Sequence, residues 1–285
     1  MKVICFFLLN IISVGLLLSQ ELLYDSGLYY ESPIYSDTSQ SRYSLDNISY
    51  KKNRILIYDY YYLDKSGAKK KFLMKGDIMK PDLTSKNPMN LTDYENPSDS
   101  AIDKIKIIVT DWLNSFAEQD PKWTQTVFSY DYLYKNGNPK DYFSWLDGAS
   151  GVIDNKKNLW MHPPRDYGFK ILELNPFPFY YLDENIKRWT WTLDVGGFWL
   201  DPRWIDRKET ITIKYEYIKS VDETLTTPLG KINCRVTNGT GTADLGNKTM
   251  KTFLKSYYNP EYGFVRLEYI NVDSTKIVIQ LIDIK

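Results

Sequence analysis

The chain has 285 residues, with 36 basic and 36 acidic side chains, one His and two Cys; 43% of it is hydrophobic, 15% aromatic and 25% charged. That is the composition of a folded protein with a full-sized core, not of a disordered one. Zero net charge argues against nucleic acid as a partner, since that needs a broadly basic face, and one His with two Cys excludes zinc sites built from several imidazoles or a thiolate cluster.

In chain order, Met1 and Lys2 precede an apolar run over 3–18, broken by Asn10, Ser13 and Gly15 and followed by Ser19, Gln20 and Glu21. This reads as a secretory signal peptide over residues 1–19, cut after Ser19. The run is short against the roughly 20 residues that span a bilayer, so no transmembrane segment is expected after cleavage, and the expected location is periplasmic or secreted. Cys5 opens the apolar run rather than closing it, which is the wrong place for a lipidated Cys. Cys234 lies between Ile232 and Val236 on one strand face, and a core thiol is expected there.

Residues 20–53, rich in Tyr, Ser and Asp without a period, read as an irregular leader, and residues 54–285 as a single β-rich domain. Residues 54–63 alternate on two apolar faces as a strand, Ser66 and Gly67 turn the chain back, and a Pro- and Asn-rich connector covers 81–97. Ile102, Ile105, Ile108, Val109, Trp112, Leu113 and Phe116 fall at helical spacing, which predicts one main helix over about 100–118. A competing strand reading of Ile105, Ile107 and Val109 leaves Trp112 and Phe116 without a face. From 124 onward the pattern has a period of two. Trp189, Trp191, Leu193 and Val195 alternate with polar residues, as do Ile211, Ile213, Tyr215 and Tyr217. Further strands are expected over 231–237, 250–258, 264–270 and 276–284, with turns at Asn238-Gly239, 259–263 and 271–274. The expected fold class is mainly β (α+β), a long, strongly curved antiparallel sheet or half-barrel packed on that helix.

Two glycine-rich stretches imitate catalytic motifs. Residues 241–249 resemble a phosphate loop with one residue too many, and a strand rather than a helix follows, so a polar hairpin loop is expected. Gly148-Ala149-Ser150-Gly151 lacks the spacing of a nucleophile elbow and reads as a turn. No catalytic residue, metal ligand or cofactor is assigned. The most unusual local setting is Trp160-Met161-His162-Pro163-Pro164-Arg165, where two prolines fix an extended backbone beside an imidazole, a guanidinium and an indole. Equally, a strand ends there and the prolines stop its ladder.

Eight Trp, 24 Tyr and 12 Phe make much of the apolar surface rigid and amphipathic. Trp189 and Trp191 on one strand face are expected to be core or cavity lining. Trp199 and Trp204, in a stretch with Gly196, Gly197 and Pro202, are expected to be exposed. The ligand-binding set read from the sequence is therefore Trp160, His162, Arg165, Trp189, Trp191, Trp199 and Trp204.

Residues 226–234 (TTPLGKINC) and the hairpin over 257–265 (YYNPEYGFV), within the order signal peptide, helix, long meander, resemble the lipoprotein-carrier (LolA-like) half-barrel superfamily of bacterial envelopes across about residues 100–285. The resemblance implies a curved sheet wrapping a helix, with a concave apolar face able to hold acyl chains, and carries over no catalytic residue. The leading expectation is an exported, non-enzymatic envelope protein that binds a hydrophobic ligand, lipid or lipoprotein partner in an aromatic-lined concavity. The alternatives are a secreted or surface module recognising a glycan or a protein, with Trp199 and Trp204 stacking on sugar, and, third, a hydrolase using His162.

Overall fold

The computed structural model describes residues 23–25, 28–30, 49–50, 54–72, 91–96, 107–110, 126–131, 148–154, 158–164, 167–196, 200–201, 203–204, 210–246 and 248–285. In chain order the elements are β1 (Leu23–Asp25), β2 (Leu28–Tyr30), β3 (Ile55–Leu63), β4 (Lys69–Phe72), β5 (Leu91–Asp93), β6 (Ile107–Thr110), β7 (Thr126–Asp131), β8 (Gly148–Asp154), β9 (Asn158–Met161), a 3-10 helix (Tyr167–Leu174), β10 (Phe179–Tyr181), β11 (Arg188–Gly196), β12 (Thr210–Lys219), β13 (Glu223–Thr227), β14 (Gly230–Asp244), β15 (Thr249–Asn259), β16 (Gly263–Ile270) and β17 (Lys276–Ile284). The expected signal peptide and most of the expected leader lie outside the described residues. Within the leader, β1 and β2 pair with each other, and the backbone N–H groups of Ser49 and Tyr50 donate to the Asp154 carboxylate at 2.7 and 3.0 Å.

β3 to β17 form one antiparallel sheet whose main path runs β10-β9-β8-β7-β6-β3-β17-β16-β15-β14-β12-β11. It forks twice. One edge of β3 is shared between β6, opposite Ile55–Tyr58, and β4, opposite Tyr62 and Leu63. β14 is long enough to pair first with β13 and then with β12, and its buried positions change parity between Val236 and Thr237 where the partner changes. Among the described residues the sheet does not close by a ladder. Instead it bends back, so that aromatic rings of β9 and β10 at one end meet those of β11 and β12 at the other.

The hollow of the bent sheet is filled by the segment after β9. Pro163 and Pro164, then Pro176 and Pro178, cannot donate to a ladder, so the chain between them leaves the sheet and coils as a 3-10 helix. Phe169 packs edge-on against Tyr60 and Phe72, each at 4.9 Å, and the Leu174 carbonyl accepts from Thr252 Oγ1 at 2.9 Å. The far wall is stripped to admit it. A Cβ on Gly239 would stand 2.9 Å from Pro176 Cβ, and one on Gly241 would stand 2.6 Å from Thr252 Oγ1.

The mainly-β class and the antiparallel meander stand, and the main helix over 100–118 is corrected. Ile107–Thr110 is a strand paired with β3 and β7, with Ile57 opposite Ile108. Four consecutive β-branched residues are stiff at χ1 and suit a pleated surface, and the edge of β3 gives them a ladder. The rest of 100–118 lies outside the described residues. The helix that the sheet wraps is the 3-10 segment instead. Asn238-Gly239 is not a turn but the middle of β14, where glycine is needed for the approach of Pro176 and not for its dihedral freedom. Gly148–Asp154 is β8 rather than a turn, and Leu91–Asp93 puts a short strand inside the expected connector. The loop expected over 241–249 shrinks to 245–248, turning on Gly246 with φ of 78°.

Candidate functional site

The seam between the sheet ends is built by strand alternation. Trp189 and Trp191 of β11 face inward with Tyr215 and Tyr217 of β12, their cross-strand neighbours. Trp160 of β9 and Phe179 of β10 face them, with Phe177 between. Trp160 and Phe177 lie 6.2 and 5.7 Å from Trp191, and Phe179 lies 5.4 Å from Trp189, all at steep angles. Trp189 stacks on Tyr217 at 5.4 Å with only 8° between the planes. Edge-to-face and offset contacts of this kind are the favourable arrangements of aromatic quadrupoles.

The polar edges of these rings are unequally served. Tyr217 OH accepts from Trp191 Nε1 at 3.0 Å and donates to the Phe177 carbonyl at 2.9 Å, and its burial pushes its pKa well above the ordinary range of a phenol. The indole N–H groups of Trp160 and Trp189 are buried with no acceptor. Deeper in, His162 and Glu173 are each 2% exposed, with Nε2 3.3 Å from Oε2, while His162 Nδ1 lies 2.8 Å from the Pro163 carbonyl. A carbonyl only accepts, so Nδ1 carries a proton. The His162 ring lies 4.4 Å from Phe177, so it is a wall of the aromatic layer.

At the rim of the seam the inward face of β12 ends in Lys219, and β14 contributes Arg235. Both stand over the Tyr180 ring, at 4.6 and 5.9 Å, and Tyr180 stacks on Tyr258 at 4.7 Å. Glu184, in the turn joining β10 to β11, reaches Arg235 at 2.5 Å and Lys219 at 3.5 Å. Partial burial opposes its charge, but the two cations outweigh that and hold its carboxyl below the usual range. Desolvation lowers Lys219, and burial pushes the Tyr180 and Tyr258 hydroxyls up to about 12.

Of the residues singled out from the sequence, the structure brings Trp160, His162, Trp189 and Trp191 together in this seam. Trp204 stands apart, 38% exposed, in a turn pinned by the Arg203–Asp201 ion pair. Arg165 and Trp199 lie outside the described residues. Sequence reading missed Glu173, Phe177, Tyr180, Glu184, Lys219 and Arg235. Lys219 carried a signal, since a charge follows Tyr217 in the apolar register of β12; Arg235 carried none, because the parity change of β14 hides which way it faces. Among the described residues no group of three or more His, Cys, Asp or Glu is placed to hold a metal ion, and no helix is long and apolar enough to cross a membrane. Cys234 is buried, and desolvation pushes its thiol up to about 12, so it is a core residue.

No family model matches the chain, and no curated protein does. Among solved structures it is similar to a protein of Bacteroides fragilis described as exported with a YmcC-like fold, at 14% identity and a TM-score of 0.39, over 84% of this chain and 98% of that one. It is similar also to a protein of Parabacteroides distasonis described as a lipoprotein, at 11% identity and a TM-score of 0.41, over 84% and 97%. A third likeness is to the hypothetical lipoprotein YmcC of Escherichia coli, at 8% identity and a TM-score of 0.33, over 81% and 83%. These likenesses say nothing of a ligand.

Proposed function

We propose that the chain is an exported, non-enzymatic envelope protein that holds an apolar ligand, the acyl chain of a lipid or of a lipidated partner, between the two ends of its sheet. The observation that carries this reading is that ring contacts and one side-chain hydrogen bond, not a ladder, close the seam: β10 and β11 are the two ends of the ladder path, and among the described residues no strand pairing joins them. An apolar chain that parts the rings breaks no ladder, and the bond it displaces is the one from the Tyr217 hydroxyl to the Phe177 carbonyl. The buried Trp160 and Trp189 N–H groups add to it, because each unmet donor costs about 1–3 kcal/mol, and an ester or carboxyl oxygen would meet it. The export signal read over residues 1–19 supplies the location, and the carrier superfamily that the C-terminal strands resemble holds acyl chains on such a face.

Native mass spectrometry of the protein extracted under mild conditions tests this, with an added, dissociable mass in the lipid range as the expected result. One observation favours a second reading, a surface module for glycans: Trp204 stands 38% exposed. No bound lipid, together with tryptophan fluorescence that responds to glycans and loses the response in Trp204→Ala, would replace the first reading with the second.

A further inference from the structure

We propose that Lys219 and Arg235 form a subsite for one anionic group, a carboxylate or a phosphate, at the rim of the aromatic seam, and that Glu184 occupies it as a tethered stand-in until a ligand replaces it. The proposal rests on the seam reading in one respect only, that the anion is the head of the ligand whose chain enters the seam.

The rim is built for charge. Strand alternation sets Lys219 one step beyond Tyr217 on an apolar inward face, and its side chain is only 6% exposed. Its stem is covered, and its ammonium meets the Asp183 carbonyl at 2.8 Å and Glu184 at 3.5 Å. Arg235 reaches the same carboxylate over the same ring, so among the described residues two cations share Glu184 and leave a positive charge in excess. Asp154, whose charge also acts on Tyr258, accepts from the Ser49 and Tyr50 N–H groups instead.

The cations do not depend on Glu184 for their positions. The Tyr180 ring lies under both, held in turn by Tyr258, and cation–π attraction keeps them on this shelf. Glu184, by contrast, is 54% exposed in a short connecting turn. A guanidinium fork beside an ammonium matches two oxygens of a carboxylate or phosphate as well as it matches Glu184. Lys219 itself follows Tyr217, which stacks on Trp189, in the inward register of β12. A charged head at the rim therefore places an attached chain at the ring layer.

The test is calorimetric titration of dodecyl phosphate, dodecanol and inorganic phosphate into the purified protein, Glu184→Gln and Arg235→Gln, with thermal melts showing that the variants fold. Glu184→Gln, at an exposed position, keeps the test usable if Arg235→Gln does not fold. We expect dodecyl phosphate to bind about tenfold more tightly than dodecanol, the scale of one charge-assisted pair. Glu184→Gln should tighten dodecyl phosphate several-fold with dodecanol unchanged, and Arg235→Gln should abolish the preference. Inorganic phosphate binding to Glu184→Gln while neither dodecyl compound binds would support the subsite with a free anion as occupant and sink the seam reading alone. Equal affinities for dodecyl phosphate and dodecanol in all three proteins, without phosphate binding, would overturn the subsite and leave the seam reading standing.

Discussion

Tyrosine does much of the interior work, and its chemistry sets how the fold meets alkali. Burial pushes Tyr58 from 10.0 up to about 12 and raises Tyr60, Tyr217 and Tyr269 as well. In the unfolded chain these hydroxyls ionise first, so above pH 10 the folded state holds protons the unfolded state has released. Their contribution is complete below that pH and declines above it, at about 1.4 kcal/mol per pH unit for each fully buried ring, until the folded-state value is passed, about 12 for Tyr58 and higher for the others. Chemical denaturation at a series of alkaline pH values should show stability falling with this slope, and tyrosinate absorbance should rise together with unfolding; full tyrosine ionisation in a still-folded chain would contradict it. A second residue-scale prediction concerns Gly241. Its added Cβ meets Thr252 Oγ1, which is committed to the Leu174 carbonyl, so Gly241→Ala should cost about 1–3 kcal/mol in urea denaturation, with an unchanged m-value. At this scale the sequence was partly legible. Alternation alone placed Cys234, Trp189 and Trp191 inside, whereas Gly239 read as punctuation because its close neighbour, Pro176, comes from a segment far off in the chain.

The decisive element is the 3-10 segment with its proline flanks, which lies where a main helix was expected from 100–118. Helical spacing of apolar residues coexists in 102–116 with the β-branched run Ile107–Thr110, and the ladder offered by β3 decided the strand. The 3-10 segment was hidden for the opposite reason. Its prolines announced an end to β9, but nothing local told that the chain would then cross the hollow of the sheet. Asn175 at its far end donates to Asn271 Oδ1 at 2.9 Å, which ties it to the turn between β16 and β17. His162 and Glu173 join its start to its end, so His162→Ala should leave Glu173 buried without that partner and cost about 2–4 kcal/mol by thermal or urea unfolding. A loss below about 0.5 kcal/mol would show that the pair does not fasten the segment.

At the scale of the molecule, the antiparallel meander was legible in its period of two. That its ends would meet was not. Curvature accumulates over many strands and is set by register, by the two forks and by what fills the hollow, none of which a local pattern records. The consequence is a layer of rings between strands that share no ladder, flanked at its rim by two cations and one carboxylate. The central claim is that this layer admits an apolar chain, and the direct measurement is tryptophan quenching by a twelve-carbon chain brominated near its end, which acts only on contact. Saturable quenching is expected, markedly reduced in Trp191→Phe, a variant that keeps an aromatic ring in the layer. Quenching that never saturates, or that is the same in Trp191→Phe as in the unaltered protein, would contradict it.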